Sequence, residues 1–106
     1  MAAMLIYVTT GSEEEALRIG RAVVEERLAA CANIFPRITS IFHWDGTLQQ
    51  ENEAVLILKT PEERVDAVVA RIKAVHSYSC PCIVTLPVTG GNAAFLNWIE
   101  AETMPR

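Results

Sequence analysis

The chain has 106 residues, of which 51% are apolar and 21% charged, so one folded domain spanning residues 1–106 is expected rather than a disordered tail. Nine Lys and Arg against 13 Asp and Glu give a net charge of -4, which argues against a nucleic-acid surface, and there is no polybasic patch for a membrane. Three cysteines are too few for a disulfide framework and suit reduced thiols in the cytoplasm.

The first element is Met4 to Thr10 (MLIYVTT), rich in Ile, Val, Tyr and Thr and closed by Gly11; it reads as a buried strand. No basic residue precedes its short apolar run, so the start does not read as a secretory signal, and no run reaches the roughly 18 residues that would span a bilayer. Ser12-Glu13-Glu14-Glu15 has the form of a capping box, with three acids where a helix dipole favours them. Leu17, Gly20, Val24, Leu28 and Cys31 follow at spacings of three or four, which predicts a helix to about Ala30.

Ile34 to Trp44 alternates, with Ile34, Pro36, Ile38, Ser40, Phe42 and Trp44 on one face and Phe35, Arg37, Thr39, Ile41 and His43 on the other. At about 3.3 Å per residue this strand is some 36 Å long, about twice the usual length. Pro36 suits an edge or a bulge. Asp45-Gly46 signals a tight turn, and Glu53 to Lys59 is the returning strand. Thr60-Pro61-Glu62-Glu63 predicts a second helix capped by Thr60, with a stripe of Val65, Val68, Val69, Ile72 and Val75 and an end near His76. Cys82 to Val88 reads as the last strand, and Ala93 to Ala101 as a short helix burying Phe95 and Ile99. The order gives an α+β, ferredoxin-like βαββαβ sandwich with a long central hairpin, helices on one face and a short C-terminal helix. A strand apolar on both faces, with an exposed edge, calls for a second copy; Ile41, Phe42 and Trp44 are the candidate contacts, and closing a ring of three such edges gives a homotrimer.

The densest chemistry is His76-Ser77-Tyr78-Ser79-Cys80-Pro81-Cys82. A structural zinc site usually spaces its cysteines by two to four residues, whereas Cys80 and Cys82 are separated by Pro81 alone. Extended, they point to one face about 6.6 Å apart at the backbone. Thiolates of that spacing suit a soft ion such as Cu(I) better. A redox pair would be C-x-x-C at a helix start, and these residues precede a strand. The remaining alternative is that His76 caps the second helix and the cysteines are small apolar filler. No phosphate-binding glycine motif and no nucleophile elbow occurs.

Several stretches together resemble one family, and the resemblance spans nearly the whole chain. They are E-R-L-A-A-C-A-N-I (Glu26 to Ile34), S-I-F-H-W-D-G (Ser40 to Gly46), L-K-T (Leu58 to Thr60), H-S-Y-S-C-P (His76 to Pro81) and L-P-V-T-G-G-N with F-L-N-W-I near the end. The sequence is similar to the CutA family of divalent-cation tolerance proteins. That resemblance implies a compact trimer joined through long hairpins, binding of copper and other divalent metals with no obligatory cofactor, a role in metal tolerance, and no established enzymatic activity. Cys31, Trp44, Lys59, His76, Tyr78 and Trp98 match family positions, which adds Trp98 to the candidate interface and Cys31 to the candidate metal ligands His76, Cys80 and Cys82. Ser77 stands where the family pattern has proline, and Ser79 and Cys82 stand where it has glutamates. Soft sulfur therefore replaces hard oxygen in this stretch. Two other functions are compatible with such a fold. An acylphosphatase would need an arginine in Thr9-Thr10-Gly11-Ser12, where there is none. A sensor like the PII proteins would need a basic phosphate pocket, for which Arg37, Lys59 and Arg64 are the candidates.

Overall fold

A computed structural model describes residues 2–105. Strand β1 (Ala3–Thr10) leads to helix α1 (Glu13–Glu25), then to strands β2 (Cys31–Trp44) and β3 (Thr47–Pro61). A short 3-10 turn at Glu62–Arg64 precedes helix α2 (Val65–Val75), strand β4 (Ile83–Val88) and helix α3 (Ala93–Glu102). The sheet is antiparallel in the order β2-β3-β1-β4, the ferredoxin-like arrangement.

Helix α1 starts as its sequence dictates: the Ser12 hydroxyl accepts from the Glu15 amide at 3.2 Å. It ends five residues before Ala30. Arg27 adopts a left-handed φ of 60°, and the Leu28 and Ala29 amides turn back to the Val23 carbonyl. The Ala30 amide is already bonded to the Lys59 carbonyl, so this segment belongs to the sheet and cannot continue the helix. Gly20 lets α1 approach closely: a Cβ there would stand 3.1 Å from Leu56 Cδ1 and 3.2 Å from Ala32 Cβ. Helices α1 and α2 cover one face of the sheet, where Ile6, Val8, Ala16, Ile19, Val23, Leu56, Leu58, Val68 and Ile72 are fully buried.

The second helix starts later than its sequence suggests. Thr60 stays in β3 opposite Met4, and its hydroxyl donates to the Leu28 carbonyl at 2.7 Å. Satisfying that ladder takes precedence over a capping box. Helix α3 packs on the opposite face from α1 and α2, burying Ile99 against Ala3 and Ala30, with Phe95 beside Lys59. Phe95, expected to be buried by this helix, remains 42% exposed.

The hairpin dominates the shape. β3 extends six residues beyond the predicted start at Glu53, and β2 begins at Cys31. Fourteen residues at about 3.3 Å each reach about 46 Å, which matches the 45 Å long axis of the molecule. Asp45 and Gly46 both have positive φ, the geometry of a two-residue hairpin turn. Between Phe35 and Ile38 the register slips by one residue at Pro36-Arg37, where proline has no amide to donate. This bulge reverses the alternation predicted across it. Ile34 packs into the core, whereas Phe35, Ile38, Ser40, Phe42 and Trp44 share the other, open face.

Candidate functional site

The open face of the distal hairpin forms one wall of a groove. β1 stops at Thr10, opposite Ala54, so beyond that point β2 and β3 run on without a third strand beside them. The 76–82 segment crosses the end of β1 on its way to β4 and forms the other wall. Between them lies a cavity of about 760 Å³, lined by Thr9, Phe42, Trp44, Gln49, Glu51, Glu53, Tyr78, Ser79, Cys80 and Cys82. Gln49, Glu51 and Glu53 reach it because alternate residues of a strand share a face, and they stand opposite Phe42, Ser40 and Ile38.

The crossing segment is held by a buried carboxylate. Glu15, in the first turn of α1, accepts from the Ser77 amide at 2.8 Å, the Ser77 hydroxyl at 2.9 Å and the Gly11 amide at 3.2 Å. Burial pushes its pKa up, but the Ser77 amide and hydroxyl and the Gly11 amide outweigh that and hold the carboxyl below its ordinary value. The proline of the family pattern at position 77 would supply neither of the Ser77 donors.

His76 is equally committed. Its side chain is wholly buried, its Nδ1 accepts from the Tyr78 amide at 3.0 Å, and its Nε2 lies 2.8 Å from the Thr9 carbonyl oxygen. With Nδ1 an acceptor, Nε2 carries the proton and donates to Thr9. His76 closes α2 through its backbone, whose amide donates to the Ile72 carbonyl at 2.9 Å, while its ring ties the segment to β1, and neither ring nitrogen offers a free lone pair. Tyr78 extends from this anchor, its ring 4.8 Å from that of His76, and donates its hydroxyl to Glu53 Oε2 at 2.9 Å. Burial first, then the bond to Glu53 and the charges of Glu53, Glu15 and Glu51, push the phenol up to about 12.

The four candidate metal ligands separate into three environments. Cys80 and Cys82 are exposed thiols on one wall of the groove. His76 lies behind that wall, inside the fold. Cys31 is on β2 paired with Lys59, whose Nζ is 3.8 Å from its sulfur, 2.7 Å from Asn33 Oδ1 and 5.6 Å from the centre of the Phe95 ring. No group of three or more His, Cys, Asp or Glu is placed to hold one ion among the described residues. Of the candidate interface residues, Ile41, Phe42 and Trp44 are exposed on the hairpin, and Trp98 is exposed with its ring stacked on Phe95 at 5.3 Å. Gln49, Glu51 and Glu53 were not among the predicted site residues. Thr47 to Glu53 has one apolar residue, Leu48, so no apolar alternation marks it as strand; the only signal is the length of β2, which a hairpin partner has to match.

The class of protein is therefore a ferredoxin-like α+β domain with a projecting hairpin and an acidic, aromatic, thiol-bearing groove beside it. Residues 4–102 match the family model described as CutA1 divalent ion tolerance protein, and the chain belongs to that family. It is 42% identical over 99 residues to the divalent-cation tolerance protein CutA of Thermus thermophilus, covering 93% of this chain and 96% of that one. The CutA of Archaeoglobus fulgidus is 45% identical over 95 residues, covering 90% and 92%. The chain spans only 56% of the length of the chloroplastic protein CutA 1 of rice, with 39% identity. The crystal structure of CutA1 from Oryza sativa superposes with a TM-score of 0.96 at 37% identity, covering all of this chain and 97% of that one. Among the described residues no helix is long and apolar enough to cross a membrane.

Proposed function

We propose that the protein is a non-enzymatic homotrimer that takes up copper or another thiophilic metal ion as part of a cell's tolerance of such ions. The observation that carries the metal half is the pair of exposed thiols, Cys80 and Cys82, facing one groove. Thiolates favour soft ions, and two of them stand where the family pattern has at most one carboxylate neighbour of Pro81. His76 is engaged at both nitrogens and Cys31 sits beside Lys59, so the ligand set narrows to Cys80 and Cys82, completed by a donor from the groove or a neighbouring copy.

Assembly is supported by the apolar surface that the single chain leaves bare. Phe35, Val84 and Leu86 are about half exposed on the open face of the sheet, and Trp44 and Ile41 more so on the hairpin. Exposed aromatic and aliphatic groups in such number favour a partner surface, and a closed ring covers every edge. Free thiols favour a reducing compartment, which makes the cytoplasm the proposed location.

The test is Cu(I) competition against a chelator, comparing wild type with Cys80→Ser/Cys82→Ser and leaving Cys31 intact. The double variant is expected to lose at least tenfold in affinity, and wild-type affinity is expected to fall at acid pH as protons compete for the sulfurs. Equal affinities would remove this stretch from the metal site.

A further inference from the structure

Cys80 and Cys82 lie between two fixed points of the crossing segment. Upstream, Ser77 is tied to Glu15, and Tyr78 to His76 and Glu53. Downstream, the pairing of β4 with β1 begins at Ile83, opposite Val8. Residues 79–82 belong to no helix or strand, and the chain bends from Ser77 to Cys80. Both thiols are free and exposed. Cys31 is not their partner within the chain, since it is on β2, at the opposite edge of the sheet from β4. Three strand spacings of about 4.8 Å separate those edges by about 14 Å, well beyond the roughly 7 Å that a disulfide spans between Cα atoms.

We propose that Cys80 and Cys82 form a reversible disulfide within one chain, by exchange with a low-molecular-weight disulfide, and that this bond closes the thiol site to metal. Extended, their Cα atoms are about 6.6 Å apart, at the upper end of the roughly 4.4–6.8 Å that disulfides allow. An inverse γ-turn centred on Pro81 brings them closer. It needs a φ of about −75°, which the proline ring already holds near −65°. The turn breaks no ladder bond, because pairing starts at Ile83. The exchange has two steps. One cysteine thiolate attacks a sulfur of the small disulfide, forming a mixed disulfide and releasing one small thiolate. The other cysteine thiolate then attacks the protein sulfur of the mixed disulfide, forming the Cys80–Cys82 bond and releasing the second small thiolate. The two protein thiols are oxidised, the small disulfide is reduced to two thiols, and two protons pass between them through water. With no helix start beside it, the pair is a switch rather than an exchange catalyst. Both sulfurs belong to the crossing segment, so closure needs no bare surface on the hairpin. The effect on metal rests on the proposed thiol site, since a disulfide sulfur is no longer a thiolate ligand.

The experiment equilibrates the full chain, metal-free and in its native assembly, with mixtures of 2-hydroxyethyl disulfide and 2-mercaptoethanol, both uncharged, and reads the intact mass after acid quenching. Excess disulfide is expected to give a species lighter by two hydrogens, and dithiothreitol to restore the original mass. Cys31→Ser, which leaves only this pair of thiols, is expected to close in the same way. Cys80→Ser or Cys82→Ser, each added to Cys31→Ser, is expected to retain one mixed disulfide instead. In Pro81→Ala the closure constant is expected to fall about two- to fivefold, because alanine leaves the open chain freer. After removal of the exchange buffer, the closed form is expected to bind Cu(I) at least tenfold more weakly than the reduced form in competition with a chelator. Mixed disulfides that never resolve, a disulfide between copies on a non-reducing gel, or no reaction in the assembled protein would each overturn the proposal. So would a closed form that binds Cu(I) as tightly as the reduced one, and an unchanged closure constant in Pro81→Ala would overturn the role given to the turn. Closure is read without metal, so the two readings fail separately: a protein that closes but takes up no Cu(I) when reduced supports the disulfide and overturns the metal site.

Discussion

Replacing Glu15 by Gln should loosen the wall of the groove and change how stability depends on pH. The carboxylate satisfies three donors at once, and its side chain is only 9% exposed. Glutamine keeps one oxygen, which can still serve Gly11 and the Ser77 hydroxyl. Its NH₂ must then meet the Ser77 amide, donor against donor, where Oε2 now accepts at 2.8 Å. Losing one hydrogen bond to a charged group costs about 1.5–3 kcal/mol, and the lower half of that range is expected because the site is near the surface. The pKa of Glu15 is lowered in the fold, so its stabilisation is fully present above the ordinary carboxylate pKa and is lost as pH falls through the lowered one. The penalty of Glu15→Gln should therefore be full near neutrality and shrink steadily in acid. Urea midpoints measured at fixed protein concentration across that range read both quantities. A penalty that is the same in acid as at neutrality would refute the assignment of these bonds to a charged carboxylate.

Trp44→Ala is expected to weaken assembly more than Trp98→Ala, by about 2 kcal/mol or more, because Trp44 is bare at the hairpin tip while Trp98 stacks on Phe95; sedimentation across a dilution series compares them, and equal mass distributions for wild type and the Trp44 variant would count against it. Gly20→Val should destabilise the fold by about 1–3 kcal/mol, since its Cβ alone would crowd Leu56 and Ala32, and an unchanged urea midpoint would contradict the packing described. Glu53→Gln should lower the Tyr78 phenol from about 12 without restoring its ordinary value, because burial remains; ultraviolet titration follows the phenol directly.

Much of the architecture was legible because local signals agreed with the fold. The Ser12 cap, the Asp45-Gly46 turn and the apolar stripe of α2 each predict what is found, whereas the stripe predicted for α1 is displaced: Leu17 is exposed and Cys31 lies in β2, while Ala16, Ile19, Gly20 and Val23 are the buried face. The errors lie where a long-range pairing overrides a local preference. Thr60 has the sequence of a helix cap but completes the β1 ladder, and Ala30 follows a helical stripe but bonds to Lys59. The Pro36 bulge was anticipated, yet its consequence, a change of face for every later residue of β2, follows only from the register with β3. The site was less legible still. His76 reads as a ligand or a helix cap, and only the fold brings the Thr9 carbonyl to its Nε2. Glu15 reads as one half of a capping box, whereas beside the local Gly11 its partner is Ser77, 62 residues further along the chain. Glu51 and Glu53 gain meaning once the hairpin places them across from Tyr78 and the two thiols.

The central claim, a metal-binding trimer with its thiols in the groove, is tested most directly by native mass spectrometry of the reduced protein during a Cu(I) titration. The account predicts a species of three times the 11.7 kDa chain mass that takes up copper in wild type and takes up less in Cys80→Ser/Cys82→Ser. A monomer at micromolar concentration, or the same copper uptake by both proteins, would contradict it.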